Sequence, residues 1–228
     1  MGILETNSLA ITIDNLTDAF FYERRIPSAE KLEIARWIAG RQGEKGSYSG
    51  LPAPTDFDFN SPVILYTGEK VTSRVGRAHI IGEEAMRALY LLGVKDPSVK
   101  AAMKGASDVF SKRIGFPKPG EGYYCCGLCT PWYWRHLSAG GYSENGWNEK
   151  EIARGMKFLK GHRDGNGKWR RFPFYCTLFA LLDIDDKGAV GEIKYAAPSI
   201  ERYIRRGRRV DKISSRRYDI LEKVLGRI

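Results

Sequence analysis

Cys125, Cys126 and Cys129 fall within five residues of one another, and Cys176 stands apart. The thiolate is the nucleophile and soft-metal ligand among side chains, so close cysteines point to a redox dithiol or to a metal site. Cys126-Gly127-Leu128-Cys129 has the CxxC spacing that suits either use. As zinc ligands we expect Cys126, Cys129 and Cys176, with Cys125, His79 or His136 completing or replacing one of them. The redox use lacks the βαβ surroundings of thioredoxin-like dithiols. A third reading asks no chemistry of the thiols, because free cysteine is among the most buried residue types.

Aromatic side chains crowd the same part of the chain. Trp132, Trp134 and Tyr175, with Arg135 and the more distant Glu84, are the expected ligand-binding residues, since ring faces suit an apolar or cationic molecule. His136 and Asp185 are the candidates for proton transfer, against a plain packing role for the histidine and a surface turn for the aspartate. Lys168, Arg170 and Arg171 either steer an anion or form a solvated loop.

The elements that must position these residues repeat. Trp37-Ile38-x3-Gln42-x3-Gly46-x-Tyr48 returns with identical spacing as Phe158-Leu159-x3-Arg163-x3-Gly167-x-Trp169. A looser copy runs from Phe110 to Gly122-Tyr123, stretched by Pro117, Pro119 and Gly120. A second motif alternates with the first and begins Cys-Thr twice, at Cys129-Thr130 and at Cys176-Thr177; Glu84 occupies the aligned place in the earlier copy. Units of ~45 to 50 residues describe stacked helical hairpins. Apolar residues three or four apart predict helices over 28–40, 78–92, 98–113, 127–139, 149–161, 174–184 and 191–206. The fold class expected is all-α.

The run Arg154-Gly155-x2-Phe158-Leu159-x3-Arg163-x3-Gly167-x-Trp169 resembles the QW repeat of squalene and oxidosqualene cyclases, with Arg163 where glutamine is usual. Their hairpin architecture is similar to that of the β subunits of protein prenyltransferases. The resemblance implies repeated hairpins in an α/α toroid around an apolar cavity. About four hairpins fit the 228 residues, so the toroid is small or partial, or is closed by a homodimer. It implies a prenyl- or terpenoid-like molecule in a central aromatic cavity, and the family includes zinc-binding enzymes. Asp183-Ile184-Asp185-Asp186 matches the cyclases' DxDD acid by letter. Its placement after Leu181-Leu182, at the end of a helix, puts carboxylates against the unfavourable end of the dipole.

Charge adds a second expectation. The chain carries a net +10, and the stretch from Arg202 to Ile228 holds ten basic and three acidic residues, or +7 of it. The alternative function is therefore a non-catalytic repeat scaffold that binds a macromolecule, nucleic acid or an acidic membrane surface, through its basic C-terminal end. The expected division is an N-terminal segment 1–27, a repeat domain 28–206 and a basic C-terminal helix 207–228, packed on the body or on a partner. Neither a signal peptide nor an apolar run of spanning length is read, and cytoplasmic localisation with reduced thiols is expected.

Overall fold

The computed structural model describes residues 2–113, 122–143 and 146–228. Pro117, Pro119 and Gly120 of the stretched repeat lie outside the described residues. Ten α-helices and a single two-stranded ribbon make up the regular structure described, so the fold is all-α. Among the described residues, no helix is long and apolar enough to cross a membrane. The chain forms two compact units, taken over their described residues: Met1–Leu65, Lys70–Lys118 and Ala139–Tyr142 in one, Tyr66–Glu69, Pro119–Ser138 and Ser143–Ile228 in the other.

The first unit holds α1 (Leu9–Phe21), α2 (Ser28–Ala39), α3 (Asp56–Asn60), the antiparallel strands β1 (Val63–Ile64) and β2 (Lys70–Val71), α4 (Arg74–Leu92) and α5 (Pro97–Arg113). Helix α4 is its centre and packs on α1, α2, α3 and α5. Its residues from Ala78 to Leu89 are all buried, and it ends at Gly93, whose φ of +63° is the left-handed exit that glycine makes easy.

Helix α1 lies in the segment read only as an N-terminal extension. Threonine and isoleucine fill its middle, and these β-branched residues lower helix propensity. The compensation comes from Asp58, far along the chain. Its buried carboxylate accepts hydrogen bonds from Ser8 Oγ at 2.5 Å, from the Leu9 N–H at 2.9 Å and from the Thr55 N–H at 2.8 Å. One side chain thereby satisfies the exposed donors at the start of both α1 and α3.

The second unit holds α6 (Cys129–Ser138), α7 (Trp147–Gly161), α8 (Phe174–Asp183), α9 (Lys187–Arg206) and α10 (Lys212–Leu225). Helix α8 touches α6, α9 and α10, while α7 touches α6 and α9. Helices α6 with α7 and α8 with α9 thus form sequential hairpins, and α6 on α8 and α7 on α9 stack one hairpin on the next.

The repeated connector has a physical basis in each unit. Gly46 and Gly167 have φ of +90° and +79°. In the first unit Gln42 Nε2 donates to the Gly50 carbonyl at 3.1 Å. In the second, Arg163 pairs with Glu192 of α9 at 2.8 Å, and Trp169 Nε1 donates to the same carboxylate at 2.8 Å. Glu192 is buried. The motif's arginine and tryptophan therefore converge on one carboxylate that ties the end of α7 to α9.

Gly155, the motif's early glycine, lets α7 approach α6. A Cβ placed there would lie 2.5 Å from Trp134 Nε1, which itself donates to the Gly122 carbonyl at 2.7 Å. Helix α10 packs on α8 and α9 through Ile220, Leu221 and Val224, while Tyr218 stays half-buried and Ile228 is 49% exposed. Asp211 accepts the Ser214 N–H at 2.7 Å, and Ser214 Oγ accepts the Asp211 N–H at 2.9 Å in a reciprocal cap.

Candidate functional site

The start of α6 is built around Cys126. Its carbonyl accepts the Thr130 N–H at 3.1 Å, which makes it the cap residue, and its Sγ accepts the Cys129 N–H at 3.4 Å. Thr130 locks the incoming chain: its hydroxyl donates to the Tyr124 carbonyl at 2.6 Å and accepts the Tyr124 N–H at 3.0 Å. Between Tyr124 and Cys126 the chain makes a three-residue turn with Cys125 at φ +36°, a left-handed conformation uncommon for a side chain other than glycine, asparagine or aspartate. The turn brings Cys125 back over the helix, so that its sulfur and that of Cys129 lie within 4.8 Å of each other.

The three thiols are hydrogen-bonded to one another, and this separates their acidities. Hydrogen bonds from Cys125 and Cys129, joined by the backbone N–H groups of Cys129 and Leu128, hold Cys126 far below an ordinary thiol despite partial burial. Its hydrogen bond to Cys126 is the main cause that pushes Cys125 up to about 11. Cys129 is raised by its bonds to Cys125 and Cys126 and then by burial. Cys125 is exposed, Cys126 half-buried and Cys129 buried, so the group opens to solvent on one side. Such a group can hold a metal ion.

Among the described residues, the possible metal ligands grouped within 4.8 Å of one another include Cys125 and Cys129 but neither Cys126 nor Cys176 of the expected set Cys126, Cys129 and Cys176. Each cysteine of the two Cys-Thr pairs, Cys129 and Cys176, stands three residues after a cap, since the Thr130 N–H reaches the Cys126 carbonyl at 3.1 Å as the Thr177 N–H reaches the Pro173 carbonyl at 2.9 Å. The Cys176 Sγ lies 3.1 Å from Thr67 Oγ1, and Thr67 also donates to Glu69. Burial, with Glu69 nearby, pushes its pKa well up, so it stays a protonated, shielded thiol. Cys125, held in reserve in the sequence, is the cysteine whose sulfur lies within 4.8 Å of that of Cys129.

The other expected residues are distributed as follows. Trp132, Trp134, Arg135 and His136 all belong to α6 and are 2%, 0%, 1% and 0% exposed. A side chain so enclosed lines no space that admits water. Trp134 stacks on Phe172, with ring centroids 5.8 Å apart. The Arg135 guanidinium lies 3.7 Å from the Phe179 ring centroid and pairs with Asp183 at 3.1 Å.

The Asp183 to Asp186 run is divided among structural tasks. Asp183 ends α8 and holds Arg135, Asp186 caps α9 through the Gly188 N–H at 2.6 Å, and Asp185 is exposed in the turn. Glu84 and His79 belong to α4 of the first unit, where Glu84 lies 3.8 Å from Arg87 and His79 lies 3.3 Å from Glu83. Tyr175, the remaining expected ligand residue, is half-buried and faces a cleft at the C-terminal end of the second unit.

That cleft was visible in the sequence only as excess charge. It has a volume of about 250 Å³ and is formed by the end of α9, the start of α10 and the start of α8. Tyr175, Tyr203, Arg206, Arg208, Arg217 and Tyr218 are among its walls. Compared with known proteins, the chain matches no family model, no curated protein and no solved structure.

Proposed function

We propose that this chain is a metal-holding helical protein in which Cys125, Cys126 and Cys129 bind one zinc ion at the start of α6. The observation that carries the proposal is that the sulfurs of Cys125 and Cys129 lie within 4.8 Å of each other at one helix start, where the Cys126 sulfur accepts the Cys129 N–H. Zinc bound tetrahedrally by sulfur at ~2.3 Å places its ligands ~3.8 Å apart, so about an ångström of closure completes the site. Three protein ligands leave a fourth position for an outside ligand, and the exposed Cys125 marks the side from which it would arrive. Bound zinc supplies Lewis acidity at that position. The residues of this chain supply the rest: Thr130 fixes the turn, and the N–H of Cys129 orients the Cys126 sulfur.

The family resemblance favoured an apolar molecule among aromatic rings. Trp132 and Trp134 give that reading little support, since each is packed on neighbouring side chains with no open face. Native mass spectrometry of the reduced full-length chain after incubation with zinc tests the metal proposal. One ion per chain, kept in Cys176→Ser and lost in Cys129→Ser, is expected. A chain that takes up no zinc, or takes it up only when Cys176 is intact, contradicts it.

A further inference from the structure

Three features of the second unit's C-terminal end lack an explanation in the metal site: a cleft, its tyrosines and its uncompensated charge. The acids of this region are already used. Asp219 and Glu222 both pair with Arg209, at 2.7 and 3.0 Å, and Asp211 is committed to capping α10. Among the described residues Arg206 and Arg208 make no ion pair and are exposed, one on the last turn of α9 and one just beyond it. Both line the cleft, beside the half-buried rings of Tyr175, Tyr203 and Tyr218.

We infer that this cleft binds single-stranded nucleic acid, with the arginines on phosphates and a tyrosine ring against an unpaired base. The chemistry matches on both counts. A guanidinium offers a planar fork of donors that fits phosphate oxygens. A tyrosine ring face gives a base a stacking partner whatever the base's identity. Cationic side chains already sit over these rings, with Arg217 4.4 Å from the centroid of Tyr175 and Arg209 4.4 Å from that of Tyr218, so the tyrosines are held in a cationic frame. The volume of about 250 Å³ is small beside ordinary ligand pockets and suits one ring-bearing unit of a flexible chain.

A membrane surface is the less fitting partner for the same charge. Interfacial helices present an apolar face to lipid. The apolar residues of α10, Ile220, Leu221 and Val224, are instead buried against the unit.

The test is fluorescence anisotropy of a short labelled oligothymidylate with the full-length chain over a range of salt. The expected result is a steep loss of affinity with salt, and about a tenfold or greater loss in Arg206→Ala/Arg208→Ala, with a salt slope shallower by about 1.4. Both arginines are exposed and unpaired, so folding of this variant is not at issue, and its helical circular dichroism should equal that of the wild type. Inorganic polyphosphate of the same length and phosphatidylserine vesicles serve as competitors. The inference is overturned if polyphosphate competes as well as unlabelled oligothymidylate, if vesicles compete better than either, or if the double variant binds undiminished. Zinc content plays no part in this readout, so its outcome is independent of the metal proposal.

Discussion

The sulfur of Cys126 accepts the backbone N–H of Cys129 at 3.4 Å, so that one thiol of the CxxC pair caps the helix that the other begins. Capping and ligation are then two tasks of one residue, and substitution separates them. Serine is among the best cap residues but is a poor partner for a soft metal. Cys126→Ser should keep the stability of the apo protein within about 0.5 kcal/mol while abolishing zinc uptake, and Cys126→Ala should lose about 1 kcal/mol as well. Urea unfolding of the metal-free forms measures the first effect. Equal losses in both variants would show that the sulfur does not cap.

Glu192 carries the bond between the repeated motif and α9. Removing one partner of a buried pair leaves a charge without compensation, and Glu192→Ala should cost on the order of 3 kcal/mol. Arg163→Gln, which copies Gln42 of the first motif, strands the buried carboxylate and should also destabilise. A double-mutant cycle with Glu192→Gln should recover part of the loss. Additive effects would mean that the two side chains do not interact.

Gly155→Ala offers a contrast between propensity and packing. Alanine is the better helix former by about 1 kcal/mol. Here its methyl group would meet Trp134 Nε1 at 2.5 Å and the Gly122 carbonyl oxygen at 2.9 Å. Overpacking of this kind costs about 1 to 3 kcal/mol, so a net loss is expected, with a blue or red shift of tryptophan emission as Trp134 is displaced. A variant as stable as the wild type would place α6 and α7 farther apart than described.

Acid should weaken the first unit through Asp96. Hydrogen bonds from Ser98 and Arg36, then from the Val99 N–H, hold its carboxyl well below the ordinary value of 3.8. A depressed folded-state pKa stabilises above the unfolded value and is lost as pH falls below it. The melting temperature of the wild type should therefore fall between about pH 4 and pH 2 more steeply than that of Asp96→Asn, which can still cap α5 but does not titrate. Parallel curves would remove Asp96 from the account.

Much of this architecture could be read from residue spacing because the longer helices obey the 3.6-residue period. Helices α2, α4, α5, α6, α7, α8 and α9 lie where apolar spacing places them, to within a few residues. What escaped was set by distant partners. Helix α1 depends on Asp58, some fifty residues away, and local propensity argues against it. The letters Thr55-x-x-Asp58 were a capping-box signal for α3, but nothing in them points to α1. The cysteine group was half legible: CxxC marks Cys126 and Cys129, while the place of Cys125 depends on a left-handed turn that no spacing rule predicts.

Cobalt titration of the reduced full-length chain tests the metal site most directly, because thiolate ligands give Co²⁺ an intense near-ultraviolet charge-transfer band whose strength grows with their number. The account predicts a band for three thiolates at one ion per chain, lost with serine at position 125, 126 or 129, unchanged in Cys176→Ser and bleached by zinc. Cobalt that stays hydrated, or a band that depends on Cys176 and survives Cys125→Ser, would contradict it.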